Sequence, residues 1–127
     1  MKAIVWTNYG PPDILQLSEV EKPDPQEDEI LVKVRATTVT TGDCEIRSLK
    51  LPLWTRLPMR LFVGFRKPKR VTMLGSCLAG EIETMGKIVS GYRNGDQVFG
   101  FTGMRFGAYA EYVCLPGRGK WSRKRLR

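Results

Sequence analysis

The sequence predicts a mainly β chain, folded as a partly open barrel with short helical turns. Three observations carry that expectation. Short runs of alternating apolar and polar residues recur along the 127 residues. Glycines punctuate them where a side chain would foul a tight turn or a close backbone approach, as in Leu74-Gly75-Ser76-Cys77-Leu78-Ala79-Gly80-Glu81-Ile82-Glu83-Thr84-Met85-Gly86 and Gly95-Asp96-Gln97-Val98-Phe99-Gly100. Helical periodicity is almost absent, and many short strands with glycine turns close most economically into a barrel-like layer.

Each element has its own signal. Met1 to Thr7 reads as a first strand, ended by the turn Gly10-Pro11-Pro12-Asp13. Ile14 to Glu21 alternates as a second strand, with Leu15, Leu17 and Val20 expected inward. Lys22 to Asp28 is acidic, stiffened by proline and expected at the surface. Glu29 to Thr38 is the clearest strand, with Ile30, Val32, Val34 and Ala36 on one face and Leu31, Lys33 and Arg35 on the other. Thr41 to Ser48 suits one or two helical turns, with Thr41 or Asp43 placed to cap them. Leu51 to Phe65 is apolar and basic, and Pro52 and Pro58 argue for short turns on a mobile segment rather than one helix. Leu78 to Met85, Gln97 to Phe101 and Ala108 to Leu115 complete the strands, with Gly91 to Asp96 turning between the first two. From Pro116 onward there is no strand pattern and no acid.

Composition removes several kinds of chemistry. There is no histidine, which excludes Ser-His and Cys-His nucleophiles and any zinc site built on imidazole. Cys44, Cys77 and Cys114 are too few and too far apart for a disulfide framework and read as free, mostly buried thiols. No apolar run is long enough to span a membrane, and the start is too short and too quickly polar for a signal peptide, so a cytoplasmic address is expected. The net charge of +8 is uneven: residues 1–29 carry seven acids and two lysines, whereas residues 46–80 carry eight Lys or Arg and no acid. Trp54, Phe62 and Phe65 interleave with Arg56, Arg60, Arg66, Lys67, Lys69 and Arg70 in that stretch, a composition compatible with stacking on nucleic-acid bases, with a lipid interface, or with a solvated basic loop.

Met1-Lys2-Ala3-Ile4-Val5, the two glycine runs and Gly107-Ala108-Tyr109-Ala110-Glu111-Tyr112-Val113, taken together, resemble the catalytic domain of the medium-chain dehydrogenase/reductase superfamily, closest to its zinc-free quinone oxidoreductase branch. The resemblance covers Met1 to about Leu115 and implies a GroES-like barrel, an alcohol dehydrogenase-like N-terminal domain over 1–115. The basic ending over 116–127 does not look like the link that follows in relatives, and is expected to be a disordered tail. It implies hydride transfer between NADPH or NADH and a quinone, enone or carbonyl substrate, in a cleft shared with a nucleotide-binding domain. Quinone-reductase relatives place asparagine where this chain has Thr40 and aspartate at Asp43; zinc-dependent relatives place a cysteine ligand at Thr40 and Gly-His-Glu where this chain has Gly75-Ser76-Cys77. Thr40, Asp43, Ser76 and Cys77 are therefore the candidate substrate and cofactor cleft residues. A hydroxyl is a poor zinc ligand, so no metal site is expected. Thr40 also reads as a locally bonded strand-end hydroxyl, Asp43 as a cap or a partner of Arg47, and Cys77 as a small buried side chain or an activated thiol.

Gly117-Arg118-Gly119-Lys120-Trp121-Ser122 imitates a dinucleotide fingerprint but ends on serine, with five residues after it, too few for a βαβ unit. The chain is thus expected to be the substrate-side half of an oxidoreductase, truncated or frame-shifted after Leu115. It is expected to be inactive alone, with no catalytic residue of its own, no tight nicotinamide site and no family-type dimer interface. A basic nucleic-acid-binding module is the alternative, and a co-chaperone role suggested by shape is a third.

Overall fold

Antiparallel pairing joins every strand pair in the described part of the computed structural model, which comprises residues 1–65, 72–118 and 121–123. Strands β1 (Lys2–Trp6) and β2 (Leu15–Glu19) form a two-stranded sheet, linked through a 3-10 turn at Pro12–Ile14. Strands β3 (Glu29–Thr37), β4 (Cys77–Met85), β5 (Gln97–Phe101), β6 (Tyr112–Pro116) and β7 (Ser122–Arg123) form a second sheet in the order β6-β3-β4-β5-β7. Helices α1 (Thr41–Ser48) and α2 (Leu53–Val63) lie in the excursion between β3 and β4.

The two sheets are laced together without closing. Ile4 N–H donates to the Tyr109 carbonyl at 2.8 Å, Trp6 N–H to the Thr72 carbonyl at 2.7 Å, and Glu111 N–H to the Lys2 carbonyl at 3.1 Å. β1 thereby holds in place the segments that enter β4 and β6.

Alternation along the strands builds the main core from Ile30, Val32, Leu78, Ile82, Val98 and Leu115, all of them buried. Trp6, Val63, Leu74 and Phe106 make a second cluster beneath α2. Three assignments differ from expectation. Ala36, expected inward, is exposed where the β3–β4 register shifts between Val34 and Ala36. Leu31, expected outward, is buried, and the β3–β4 register shifts between it and Val32. Leu17, expected inward, is 68 % exposed, because β2 pairs with β1 alone and no layer covers its outer face. The thiols of Cys44, Cys77 and Cys114 are free but half-buried rather than buried. Burial, reinforced by Glu29 and Asp24, pushes Cys114 up to about 11.

The largest departure is α2, one helix of 11 residues with Pro58 inside it, where the prolines argue for separate turns. Proline removes one helical hydrogen bond and crowds the preceding turn, at roughly 3 kcal/mol. Met59 and Val63 pack into the Trp6 cluster, and each such burial returns about 1.5–3 kcal/mol. Tertiary anchoring therefore outweighs the local penalty. Pro52 starts the helix, and its carbonyl accepts from the Thr55 hydroxyl at 2.9 Å and the Arg56 amide at 3.0 Å. Near the end of the chain, Ser122–Arg123 adds a short edge strand beside β5, and Trp121 packs on the main core with its indole N–H donating to the Pro116 carbonyl at 3.0 Å. A single large aromatic side chain brings back a segment whose sequence carries no strand pattern.

Gly80 sits in β4 opposite Val34, where a Cβ would collide with the carbonyl of Lys33. That oxygen belongs to the backbone of the sheet's inner strand and has no room to move. Gly80→Ala is expected to lower unfolding stability by about 2–4 kcal/mol, measured as a fall in the urea midpoint at unchanged m-value. An unchanged midpoint would mean that β3 and β4 are not registered in this way.

Candidate functional site

The candidate site forms where β3 ends and α1 begins. Thr40 is the N-cap of α1, in extended conformation at φ −99° and ψ 161°. Its hydroxyl accepts from the Asp43 amide at 3.2 Å, and the Asp43 carboxylate accepts from the Thr40 amide at 3.1 Å, a reciprocal capping box. Neither Thr41 nor Asp43 is the cap itself. Asp43 lies one turn in, where its carboxylate can reach back to the cap amide.

That carboxylate is buried, at 3 % exposure. Its Oδ2 also accepts from the hydroxyls of Thr40 at 2.9 Å, Tyr109 at 3.3 Å and Ser76 at 3.5 Å. Tyr109 shares its proton with the Thr38 carbonyl at 3.4 Å. The other oxygen, Oδ1, is buried with no partner. Donors from three distant stretches of chain thus converge on one oxygen.

Gly75 makes that convergence possible. Its φ of +101° favours glycine, and a Cβ there would stand 2.7 Å from the Tyr109 ring and 2.8 Å from the Tyr109 amide nitrogen. With no side chain in the way, the Tyr109 amide donates to the Leu74 carbonyl at 3.0 Å and the ring lies against the strap that carries Ser76.

Burial raises Tyr109 well above the ordinary phenol range, and the negative charge of Asp43 and the hydrogen bond to it raise it further. The phenol therefore stays protonated across the neutral range, as a donor to the carboxylate.

Of the residues singled out from sequence, Thr40, Asp43 and Ser76 meet in this cluster. Cys77 opens β4, where its carbonyl accepts from the Thr37 hydroxyl at 2.7 Å, and no hydrogen bond joins its thiol to the Asp43 carboxylate. Arg47 donates its Nε to the Gly10 carbonyl at 3.2 Å and forms no ion pair with Asp43. Tyr109 is the residue that sequence reasoning missed; it read as one position in a strand. The available signal was a polar-tipped aromatic between Ala108 and Ala110, in a run that begins at Gly107.

Of the basic segment, Arg56 and Arg60 lie on α2. Arg56 donates to the Leu51 carbonyl at 3.2 Å and Arg60 to the Phe65 carbonyl at 2.9 Å, with the Arg60 guanidinium also 5.7 Å from the Tyr9 ring centre. Arg66, Lys67, Lys69 and Arg70 lie outside the described residues.

Beside the Asp43 cluster runs an apolar groove of about 610 Å³, walled by Ile4, Leu15, Leu17, Ala36, Val39 and Tyr109 among others. Tyr109 belongs to both features. Thr40, Asp43, Ser76 and Cys77 do not line the groove.

Comparison with known proteins places this geometry. Residues 26–122 match the alcohol dehydrogenase GroES-like domain family. A quinone oxidoreductase of Lama guanicoe is 37 % identical over 114 residues, which is 89 % of this chain and 30 % of the relative. The quinone oxidoreductase of Coxiella burnetii superposes at a TM-score of 0.72 with 30 % identity, covering 91 % of this chain and 34 % of that one. The quinone oxidoreductase of Escherichia coli, solved in complex with NADPH, superposes at 0.74 with 26 % identity, covering 97 % of this chain and 33 % of that one. The chain thus spans about a third of the length of the proteins it matches.

Tyr109→Phe removes a donor from a buried carboxylate and is expected to cost about 1–3 kcal/mol. The pH dependence has a definite sign. Because the folded chain holds the Tyr109 proton more tightly than the unfolded chain does, its contribution is complete below about pH 10 and is lost as pH rises beyond that. The variant should lose less stability than the parent between neutral and strongly alkaline pH, read from thermal melts. Parallel profiles for the two proteins would remove Tyr109 from the account of this cluster.

Proposed function

The chain belongs to the alcohol dehydrogenase GroES-like domain family, and on that premise we propose that it forms the substrate-side wall of a zinc-independent oxidoreductase acting between NADPH or NADH and a quinone, enone or carbonyl compound. The observation that carries the proposal is the apolar groove walled by Tyr109 and backed by the Asp43 cluster. A quinone or enone is flat and largely apolar, so it gains most from a site that removes it from water and fixes its orientation. Ile4, Leu15, Ala36 and Val39 supply the apolar walls, and the Asp43 bonds keep Tyr109 and the start of α1 from moving relative to them.

The reduced nicotinamide would supply the hydride. A dinucleotide is ordinarily held by its diphosphate at a glycine turn and helix N-terminus within a parallel βαβ unit. The described strands are all antiparallel, and the N-terminus of α1 is filled by its own capping box. The described residues do not fit the diphosphate by themselves, and the proposal assigns them the substrate side only.

Zinc independence is supported by the residue types. The sequence has no histidine, the Thr40 hydroxyl is committed to the capping box, and the described residues hold no group of three or more His, Cys, Asp or Glu able to bind a metal ion. A quinone reductase that passes hydride directly has no need of a Lewis acid. No helix among the described residues is long and apolar enough to cross a membrane, and the proposal places the protein in the cytoplasm. Nucleic-acid binding draws no support from Arg56 and Arg60, whose guanidinium groups are bonded to backbone carbonyls.

The test is to join residues 1–115 to the remainder of the E. coli quinone oxidoreductase and to follow NADPH oxidation with phenanthrenequinone. The fusion should turn over well above the blank and keep its rate in the presence of a strong zinc chelator. The 127-residue chain alone should show little or no turnover. A folded fusion without activity, or one silenced by the chelator, would end the proposal.

A further inference from the structure

Helix α2 carries apolar residues on two opposite sides. Met59 and Val63 face the Trp6 cluster. On the other side Leu53, Trp54, Leu57 and Leu61 are 80 %, 79 %, 56 % and 67 % exposed. Positions 53, 57 and 61 are four apart and stack in one row, with Trp54 beside it. An ordinary surface helix turns polar residues toward water. This one presents an apolar row, and the exposed Phe65 continues it just past the helix end.

Two arginines on the helix, Arg56 and Arg60, flank the row, and the sequence from 46 to 80 has no acid among eight Lys and Arg. We infer that the outer face of α2 docks on an anionic lipid bilayer, with the helix lying in the plane of the interface and Leu53, Trp54, Leu57 and Leu61 entering the headgroup boundary. The inference stands apart from the oxidoreductase proposal, since it uses no residue of the groove or of the Asp43 cluster.

Charge complementarity selects this occupant. Leucines and tryptophan on one side with arginines at the border are what an interfacial helix requires, and an acid-free segment adds attraction to anionic headgroups. A second copy would bring two acid-free basic segments together, which like-charge repulsion opposes. A nucleic acid would need free cationic forks on the outward side, and the outward side is apolar. Arg56 and Arg60, held by the carbonyls of Leu51 and Phe65, contribute positive charge at the border.

The experiment is sedimentation of the full chain with vesicles of phosphatidylcholine alone and of phosphatidylcholine mixed with phosphatidylserine. Binding should be at least about tenfold tighter to the anionic vesicles and should weaken with added salt. The double variant Leu57→Glu, Leu61→Glu should lose at least about tenfold of that binding, while circular dichroism and the melting temperature stay at parental values because both side chains are exposed. Trp54→Ala, a milder change, should lose part of it. Three results would overturn the inference: no vesicle binding by the parent, equal binding by parent and double variant, or a parental dimer that the double variant abolishes while neither protein binds vesicles. Oligonucleotide binding that the double variant loses while keeping its lipid binding would overturn it equally.

Discussion

One carboxylate oxygen holds the functional end of this fold together. Oδ2 of Asp43 collects an amide and three hydroxyls from the Thr40 cap, the Ser76 strap and Tyr109. A buried carboxylate is costly unless donors replace its water, so each donor position is constrained by the others. The arrangement dictates where α1 starts, how the chain enters β4, and which way the Tyr109 ring lies. Gly75 follows from the same constraint: any side chain there would push Tyr109 off the carboxylate. The apolar groove inherits one of its walls from this cluster, so a local hydrogen-bonding requirement becomes the geometry of the groove.

Strands β3, β4 and β5 were legible as short alternating runs, whereas β7 carries no such pattern. β3 and β5 begin and end almost where the pattern does, and Ile30, Val32, Ile82 and Val98 bury as alternation demands. What alternation cannot supply is the covering layer. Leu17 follows the pattern and lies exposed on the two-stranded sheet, whereas Leu31 breaks the pattern and lies buried beside a register shift. The proline rule failed at α2 for a comparable reason, since Met59 and Val63 are anchored by residues distant in sequence. Thr40, Asp43 and Ser76 could be picked out by family resemblance and side-chain chemistry. Their meeting with Tyr109 depends on a contact between segments more than 60 positions apart, and no local pattern encodes it.

The molecule carries two exposed apolar surfaces. The groove between the sheets is apolar and shallow, bounded by β1, β2 and the end of β3, and is where we propose the substrate lies. The outer side of α2 is apolar, with Arg56 and Arg60 at its border. Both are consequences of sheets that are laced by β1 without closing, with the β3–β4 excursion left to form helices on the outside. Thr40 and Ser76 both donate their hydroxyls to the Asp43 carboxylate.

The most direct measurement is a double-mutant cycle between Asp43→Asn and Tyr109→Phe, read from denaturant unfolding. If the carboxylate and the phenol hold the site as a unit, the two losses will be non-additive, with a coupling energy of about 1 kcal/mol or more. Losses that add to within about 0.3–0.5 kcal/mol would show that the two side chains act independently, and the cluster would no longer explain how the groove is held.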